Sequence, residues 1–505
     1  MAEGRLEQQA ALVGALAAQL RAAGVAVALY ETHVSWVLVA GADAYKIKKA
    51  LRLEFLDYAT LPLRRHYCEQ EVALNAALAP GLYLGVAEIG GTPSAPRLGA
   101  APAIEVAVHM RAFPQSALWS ERVAHGQLGV AEIDQFAALL ARFHAGAARA
   151  PSGSPWGEPG AIARAGERNV DELLPLAGGS AQVDRLGRWR RDEAVRLAGC
   201  FEQRRRAGAI RACHGDLHCA NILTLDDRVM AFDCIEFDAA LRWIDVLHDL
   251  AFTLMDLHQR GQGRLAARLL NGYLSEGGDY AGLAVLRYYV VECALVRAKV
   301  ALLRARQSEP GDGEAGRLLD TALAAASTRR GAVIVMHGCS GSGKSSIARE
   351  LVEELGAVQI RSDVERGRTA GVDPHCYDRA SSDAVYARLR VLAGAVVDAG
   401  YPVVVDACHL ARAERDACAR LADEHGVPWV IVDVRASVAT MRARIVQRRA
   451  AGRDPSEADE GVLALQLGSA EPLDASEMAR TVVVDTESAG AVERLRANVE
   501  RLLSG

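Results

Sequence analysis

The sequence predicts two domains of different fold class, an α+β domain followed by an α/β domain with a doubly wound parallel sheet. Its 505 residues exceed the size at which one hydrophobic core stops growing, and 50% hydrophobic residues can supply two cores. A short β-rich stretch is followed by long helical patterns up to residue 328, whereas short β-branched runs alternate with helical ones beyond it. We therefore expect one domain over residues 1–328 and another over residues 329–505.

The first domain is predicted to open with a small lobe over about residues 1–113 and to continue with a helical large lobe over about residues 114–328. The small lobe reads as a helix, a two-stranded hairpin, a helix and a strand, at residues 5–23, 34–39 with 44–47, 64–79 and 105–113. Helical spacing then recurs in the large lobe, at 128–150, 180–207, 241–275 and 283–307.

The second domain is predicted from strict alternation of strands and helices. Its strands are short apolar runs, at 332–337, 358–360, 402–406, 429–434 and 481–485. Its helices follow these strands, at 344–355, 380–399, 411–425, 438–450 and 492–503. Because runs such as Val403–Val405 lack polar alternation, these strands are expected to be buried on both faces of a parallel sheet.

Composition narrows the classes of partner. A formal net charge of −5 gives no electrostatic reason to expect general nucleic-acid binding or a membrane partner, and favours a small-molecule substrate. The ten cysteines include no Cys-x-x-Cys pair, which indicates reduced thiols in a cytoplasmic protein. These bulk properties leave the oligomeric state open.

One segment carries the residue types that phosphoryl transfer requires. It opens with the tripeptide His-Gly-Asp, ending at Asp216, and Asn221 follows five positions later. Asp233 comes at the end of the apolar run 229–232. Transfer to a hydroxyl needs an acidic group near the acceptor proton and oxygen ligands for Mg²⁺. Asp216 is the candidate catalytic residue, and Asn221 and Asp233 are the candidate metal ligands.

This segment resembles the aminoglycoside phosphotransferase-like branch of the protein-kinase-like superfamily, which uses His-Gly-Asp where protein kinases use His-Arg-Asp. The resemblance covers roughly residues 30–307. It implies a bilobal protein-kinase-like domain that binds ATP and Mg²⁺. It also implies that Asp245 and Asp249 brace the catalytic loop, residues 214–221, and that Glu236 contacts metal or substrate.

The resemblance further implies a small-lobe lysine for the α and β phosphates and a helix glutamate that orients it. Lys46 matches the Ala-x-Lys pattern, and Lys48 on the same strand face is its rival. Glu71 is preferred to Glu69 as the partner because of its place on the following helix.

Two other interpretations of this region stay open. Cysteine and histidine side chains around the loop could instead hold zinc, although their spacing is unusual for it: Cys213, His214, His218 and Cys219. Acidic residues such as Asp238 and Asp256 could line an acceptor pocket for a cationic ligand, although they also fit a plain solvated surface.

A second phosphate-handling motif is complete at residues 338–345. The sequence Gly-Cys-Ser-Gly-Ser-Gly-Lys-Ser matches the Walker A pattern between a predicted strand and helix. Its glycines let backbone N–H groups converge on phosphate at a helix N-terminus. The lysine then reaches the β and γ phosphates and the following serine offers a hydroxyl to Mg²⁺. The predicted ligands are Gly338, Ser340, Gly341, Ser342, Gly343, Lys344, Ser345 and Ser346.

Two acidic residues follow strands of the second domain. Asp363 comes after its second strand and Asp406 ends its third, at carboxyl ends that open onto the ligand crevice of a doubly wound sheet. The stretch from about 331 to 474 resembles small P-loop kinases of the gluconate kinase, zeta-toxin and phage polynucleotide kinase type. The resemblance implies that Asp363 is the base at the acceptor hydroxyl, that Arg361 contacts substrate and that Asp406 belongs to the metal shell.

Three arginines at helical spacing precede a loop at Gly452. By the same resemblance Arg444, Arg448 and Arg449 form a lid that closes over the phosphates. A solvated helix face is the alternative.

Together the two residue sets predict a bifunctional enzyme. Each domain would use ATP and Mg²⁺ to phosphorylate a hydroxyl of a small molecule, such as a sugar, an amino alcohol or an aminoglycoside-like compound. An alternative is an ATP-binding regulatory or toxin-like protein in which only the P-loop domain is catalytic. Neither motif specifies the acceptor, because both folds serve many alcohols.

Overall fold

The computed structural model describes residues 2–53, 56–307, 313–327, 331–369, 371, 378–451, 459–488, 490 and 495–504. It comprises two compact units, Met1–Ala165 with Phe201–Asp256 and Gly166–Cys200 with Leu257–Gly505. The predicted domain junction at 328/329 and the loop at Gly452 lie outside the described residues, so the domain bounds 1–328 and 329–505 stay a prediction. Within the described ranges, no helix combines the length and apolar character needed to cross a membrane.

Strands and helices alternate irregularly up to residue 327. The strands are β1 (Val27–Glu31), β2 (Ser35–Ala40), β3 (Asp43–Lys48), β4 (Arg52–Leu53), β5 (Leu56–Asp57), β6 (Tyr83–Thr92), β7 (Ala95–Leu98), β8 (Glu105–Arg111), β9 (Ile210–Ala212), β10 (Ile222–Leu225), β11 (Arg228–Ala231) and β12 (Trp243–Asp245). The helices are α1 (Ala2–Ala22), α2 (Leu61–Asn75), α3 (Trp119–Ala124), α4 (Val130–Gly146), α5 (Pro159–Leu176), α6 (Ala181–Arg196), α7 (Ala198–Arg206), α8 (Ala239–Arg242), α9 (Val246–Gln259), α10 (Gly263–Gly277), α11 (Leu283–Gln307) and α12 (Glu314–Ala326). Three short 3₁₀ turns accompany them, at Gln115–Ala117, Cys219–Asn221 and Tyr280–Gly282.

Beyond residue 330 the alternation is regular. The strands are β13 (Ala332–His337), β14 (Val358–Arg361), β15 (Pro402–Asp406), β16 (Trp429–Arg435) and β17 (Thr481–Asp485). The helices are α13 (Lys344–Leu355), α14 (Ser362–Arg366), α15 (Arg379–Asp398), α16 (Arg412–Glu424), α17 (Val438–Ala451), α18 (Glu460–Ser469), α19 (Ala475–Met478) and α20 (Leu495–Ser504).

The small-lobe sheet is antiparallel, in the order β1-β2-β3-β8-β6-β7, and its two faces carry separate cores. In β3, Ile47 packs in the cluster that includes α1, whereas Ala44 packs in the cluster that includes α2. Side chains alternate between the faces of a strand, so Lys46 and Lys48 share the face of Ala44. The strand pattern therefore directs both lysines toward α2, which carries Glu71.

Several elements of the first domain were predicted, and two of the differences have local causes. The hairpin of β2 and β3, the helix α2 and the strand β8 are confirmed. The sequence reading missed β6, whose glycines at Gly85, Gly90 and Gly91 interrupt the strand pattern. The helical stretch predicted over 241–275 is divided among α8, β12, α9 and α10, with a turn at the left-handed Gly261 before α10.

The second fold is the predicted doubly wound parallel sheet, in the order β14-β15-β13-β16-β17. Its central strands are almost entirely buried, which explains their unbroken apolar runs. The helices α13 and α20 cover one face through a core that includes Ile334, Leu351 and Val499. The helices α15 and α16 also pack on this sheet. The order places the loop after β13 at the topological switch point, where such sheets bind ligands.

The helix α10 packs against α13 and β14. Arg268 forms an ion pair with Glu353 of α13 at 2.8 Å. The Asn271 amide donates to the Ala357 carbonyl at 2.9 Å and accepts from the Gln359 N–H at 2.7 Å. One side chain of α10 thus holds the turn between α13 and β14.

Candidate active sites

The first site centres on an ion pair between strand and helix. The Lys46 ammonium lies 2.9 Å from Glu71 Oε1 and also contacts Asp233. Glu71 is fully buried, whereas Lys46 is 15% exposed and Asp233 is 41% exposed. Burial raises the pKa of Glu71, but the Lys46 and Lys48 charges outweigh it and lower this pKa to about 2. The pair is therefore charged at neutral pH, and Lys46 faces the open side of the site. The rival glutamate, Glu69, is exposed.

Lys48 occupies a deeper position on the same strand face. Its side chain is 1% exposed, and its ammonium lies 2.6 Å from Glu71 Oε2 and contacts Glu236. The Tyr58 hydroxyl also donates to Glu236. Burial lowers the pKa of Lys48, yet the charges of Glu71 and Glu236 raise it above its ordinary value. The structure thus brings both candidate lysines to Glu71 and separates them by depth.

The catalytic loop brings the predicted acid and amide together. The Asn221 amide donates to the Asp216 carbonyl at 2.9 Å and lies 3.4 Å from Asp216 Oδ2. The side chain of Asp216 is 36% exposed. The Phe232 N–H donates to the Asn221 carbonyl at 3.0 Å, which places Asn221 beside Asp233. This backbone contact therefore brings two residues with oxygen-bearing side chains close together along the chain, as a shared Mg²⁺ ion would require.

Two buried aspartates stabilise this region in different ways. Asp249 accepts from the His214 and Gly215 N–H groups at 3.0 and 2.9 Å, and His144 lies 3.1 Å from the same carboxylate. Gly215 has φ +91°, and a Cβ there would lie 2.7 Å from the carbonyl oxygen of residue 241. Asp245 instead forms a two-point ion pair with Arg204, at 2.6 and 2.7 Å. Asp249 therefore contacts the catalytic loop directly. Asp245 instead contacts Arg204 of α7.

The expectation that Asp256 is available to line an acceptor pocket was wrong. Its side chain is buried, and it accepts from the Cys219 N–H at 2.8 Å, so it supports the catalytic loop from within. A periodic helix pattern gave no sign that this face of α9 points inward. Asp238 caps α8 by accepting from the Ala240 N–H at 2.8 Å.

The geometry does not favour the zinc interpretation. His214 Nε2 lies 2.8 Å from the Phe232 carbonyl, which occupies that ring nitrogen. In the part of the chain that the structure describes, the metal-type side chains close enough to share an ion are His144, Cys213 and Asp249, and Asp249 already binds loop N–H groups.

The second site is the glycine loop after β13. Gly338, Gly341 and Gly343 have φ values of +132°, +80° and +103°. A Cβ on Gly341 would lie 2.5 Å from the Met441 carbonyl, and a Cβ on Gly338 would meet the Val434 carbonyl. Only glycine combines these backbone angles with so close an approach. The loop can therefore fold into the nest that directs N–H groups at an anion.

The residues of this loop fit a phosphate group. Lys344 is buried, and its ammonium donates to the Cys339 carbonyl at 2.9 Å, across the mouth of the loop. Ser342 Oγ is buried without a hydrogen-bond partner in the structure. Ser345 and Ser346 lie in the first turn of α13, where helix N–H groups and the peptide dipoles favour anions.

The predicted lid arginines occupy different environments. Arg444 donates to the Ser342 carbonyl at 3.0 Å and to Thr486 Oγ1 at 2.9 Å, so it contacts the outer side of the loop. Arg448 is half-buried and Arg449 is exposed. Thr486 also donates to the Ser342 carbonyl at 2.9 Å, a contact that no sequence pattern indicated. The action of these arginines on phosphates stays a prediction.

The predicted acids lie at the carboxyl ends of neighbouring strands. Asp406 is buried, accepts from the Gln359 amide at 2.8 Å and lies 3.7 Å from the Arg361 guanidinium. Arg361 and Asp406 are also register partners in β14 and β15. Asp363 is half-buried in α14, two residues after the end of β14. These positions meet the expectation that the acids share one edge of the sheet, while their roles stay predictions.

Gln466 of α18 contacts the glycine loop, and the sequence reading missed it. Its amide oxygen accepts from the Ser340 N–H at 2.7 Å. The same helix is anchored by Leu463, which packs against Met441 and Ile445 of α17. A lone glutamine in an unmarked helix offers no sequence signal, because only the tertiary fold brings it to the loop.

Comparisons with known proteins agree with the presence of two different kinase-type domains in the chain. A family model described as Phosphotransferase enzyme family matches residues 65–287, and one described as AAA domain matches residues 333–473. Uncharacterized protein Rv2004c of Mycobacterium tuberculosis (strain ATCC 25618 / H37Rv) is 32% identical over 442 residues, which cover 84% of this chain and 86% of the relative. Uncharacterized protein Mb2027c of Mycobacterium bovis matches with the same identity and coverage.

Solved structures of kinases are also similar to this chain. A choline/ethanolamine kinase family protein from Mesorhizobium loti is 16% identical, with 59% of this chain and 86% of that chain covered and a TM-score of 0.36. A gluconokinase from Sinorhizobium meliloti 1021 is 26% identical, with 35% and 95% covered and a TM-score of 0.27. The chain is a kinase in which a phosphotransferase-family domain is followed by a P-loop kinase domain. It belongs to the family of the two mycobacterial proteins.

Proposed function

We propose that the protein is bifunctional, and that each domain transfers the γ-phosphate of ATP to a hydroxyl of a small molecule. The acceptor classes are sugars, amino alcohols and aminoglycoside-like compounds. The observation that carries the proposal is convergence: the strand lysine Lys46, the helix acid Glu71 and the strand-end acid Asp233 meet beside the loop of Asp216 and Asn221. The second domain supports the same chemistry through its glycine loop and buried Lys344.

In the first domain each side chain has a separate task. Lys46, oriented by Glu71, holds the phosphates, and Asn221 and Asp233 hold Mg²⁺. The Mg²⁺ ion supplies positive charge that offsets the charge of the phosphates. Asp216 lies near the acceptor hydroxyl and accepts its proton. The acceptor oxygen forms a bond to the γ-phosphorus while the bond from that phosphorus to the bridging oxygen of ADP breaks.

In the second domain backbone groups replace most of the side chains. The loop N–H groups and Lys344 hold the phosphates, and Ser345 with Asp406 holds Mg²⁺. Asp363 accepts the proton of the acceptor hydroxyl, and Arg448 contacts the transferred phosphate. The bonds formed and broken are those of the first domain.

The test measures transfer from ATP to a panel of sugars, amino alcohols and aminoglycosides, with the full chain carrying Asp216→Asn, Lys344→Ala or both. Each single variant should lose about 10²- to 10⁴-fold of one activity and keep the other, as expected for loss of a proton acceptor or phosphate ligand. Asp184→Asn and Lys299→Ala are the matched controls, since Asp184 pairs with Arg188 and Lys299 pairs with Glu172 on the surface. If neither single variant changes any transfer activity, the proposal is wrong. If only Lys344→Ala does, the alternative with one catalytic domain replaces it.

A further inference from the structure

Every residue of the four-residue segment from Asp233 to Glu236 is held in place. Its two end carboxylates contact the two lysines of β3. Its backbone N–H groups donate as follows: Asp233 to the Tyr83 hydroxyl at 3.1 Å, Cys234 to Asn75 Oδ1 at 3.1 Å, and Ile235 to the His214 carbonyl at 3.1 Å. The segment therefore has a defined position relative to both the catalytic loop and the small lobe.

Acidic and basic side chains alternate in a continuous series of ion pairs in this region. Asp233, Lys46, Glu71, Lys48 and Glu236 follow one another, and each contacts the next. The three carboxylates face two ammonium groups, so one negative charge is left over. Exposure locates the end that is open to an ion, since Asp233 is 41% exposed while Glu236 is 5% exposed.

Glu236 already has two donors on one oxygen. The Lys48 ammonium and the Tyr58 hydroxyl both contact Glu236 Oε1. Lys48 is itself buried, and its other carboxylate partner is Glu71 of α2. A buried ammonium between two carboxylates is a strong geometric constraint, because neither partner can move without leaving a buried charge uncompensated.

We propose that Lys48 is a positioning residue that fixes Asp233 through Glu236, and that Glu236 acts as its anchor and does not bind the metal. This inference rests on the proposed function of the first domain. The two lysines of β3 then divide the work: Lys46 serves the phosphates, and Lys48 links α2 to the segment that carries the metal ligand. Tyr58 reinforces the anchor from the small lobe.

The experiment uses the full chain with Lys344→Ala, which silences the second site, and compares Lys48→Met, Glu236→Gln, the double variant and Tyr58→Phe. If Lys48 acts through Glu236, Lys48→Met and Glu236→Gln each lower kcat by about 10- to 100-fold, as expected when a residue that positions a metal ligand is lost. The KM for ATP stays within about threefold, and the double variant is no worse than either single variant. Tyr58→Phe should lower kcat by a smaller factor. This variant tests the same anchor if Lys48→Met does not fold.

A binding measurement separates anchor from ligand without relying on turnover. Mn²⁺ affinity in the presence of ADP is followed by electron paramagnetic resonance, with Asp233→Asn as the variant that loses a direct ligand. An anchor role predicts equal Mn²⁺ affinities for Glu236→Gln, Lys48→Met and the double variant, within about twofold. A metal-ligand role predicts that Glu236→Gln weakens Mn²⁺ binding at least about tenfold while Lys48→Met, which removes a positive charge, does not.

The outcomes distinguish the two levels of the proposal. Additive losses, or Mn²⁺ weakening confined to Glu236→Gln, overturn the role given to Lys48 and leave phosphotransfer by the first domain intact. Unchanged Mn²⁺ binding in Asp233→Asn contradicts the proposed function itself. Lys299→Met is the matched lysine control and should behave as the Lys344→Ala parent does.

Discussion

Replacing Asp249 by alanine should release the catalytic loop of the first domain. Its carboxylate accepts from two consecutive backbone N–H groups, those of His214 and Gly215, and also contacts His144. Asp249 is fully buried, so water cannot replace the lost acceptor without local opening. The two N–H groups immediately precede Asp216, and their release should misplace this residue, which is the proposed acceptor of the substrate proton.

The magnitude follows from the number of groups left without a partner. A buried N–H without an acceptor costs about 1–3 kcal/mol, so two of them cost about 2–6 kcal/mol. Asparagine at this position can accept from one N–H but directs its own amide at the other, so Asp249→Asn should cost about half as much. Both variants should lose first-domain activity, Asp249→Ala by about 10²-fold.

The assay is hydrogen–deuterium exchange of the loop amides, read together with transfer activity. In Asp249→Ala the amides of His214 and Gly215 should exchange faster by the factor that this free energy implies. Activity that depends on Lys344 should stay unchanged. Asp184→Ala, which removes a surface pair with Arg188, is the matched control and should leave the exchange of both amides as in the unmodified protein. Wild-type exchange rates in Asp249→Ala would refute the bracing role.

Acid should reproduce the effect in the unmodified protein. Burial raises the pKa of Asp249, but the hydrogen bond and charge of His144, together with His214 and the Gly215 N–H, lower it below its ordinary value. Because the folded pKa lies below the unfolded one, this contribution to stability is complete above the unfolded pKa of about 3.9. It is lost as the pH falls from there through the folded pKa. The contribution of Asp249 to the protection of the two loop amides from exchange should therefore be constant from neutral pH down to about pH 4. At lower pH this protection should decrease.

Three further predictions concern the second fold. Gly341→Ala should weaken nucleotide binding by about 10²-fold, because a Cβ there would lie 2.5 Å from the Met441 carbonyl at a backbone φ of +80°; equal affinity by calorimetry would contradict this. Gln466→Ala should tighten nucleotide binding about two- to tenfold, since the glutamine oxygen competes with phosphate for the Ser340 N–H; weaker binding would show that the glutamine helps to hold the nucleotide. Asn271→Ala should destabilise the turn before β14 by about 2–6 kcal/mol, because two backbone groups lose their partner at about 1–3 kcal/mol each; unchanged exchange of the β14 amides would exclude this.

The strands and the longer helices of the second fold could be predicted because their signals are local, whereas α14, α18 and α19 were not predicted. The β-branched run of β15 and the Walker A glycines each specify a backbone conformation without reference to distant residues. The same locality explains what was missed. The helix α18 contributes Gln466 to the glycine loop by packing Leu463 on α17, and neither residue has a pattern that predicts this contact.

The first site shows the opposite balance between local and distant information. Lys46, Glu71 and Asp233 could each be named from a short motif or a resemblance, but their arrangement depends on three elements far apart in sequence. The depth difference between Lys46 and Lys48 could not be predicted, because strand alternation places them on the same face. Only the packing of α2 and of Glu236 makes one lysine buried and leaves the other at the open side.

The two sites therefore have different weak points, although both handle a triphosphate. In the second site the proposed phosphate ligands are mostly backbone N–H groups, and their directions depend on glycines whose φ values disfavour other residues. In the first site the proposed ligands are side chains held by buried charges, so that neutralising one of them leaves its neighbour uncompensated. Isosteric changes that remove charge, such as Glu71→Gln, should consequently disable the first site, whereas the second should be most sensitive to any side chain added at Gly338 or Gly341. A scan that found both sites equally sensitive to both kinds of change would show that this distinction between backbone and side-chain organisation is mistaken.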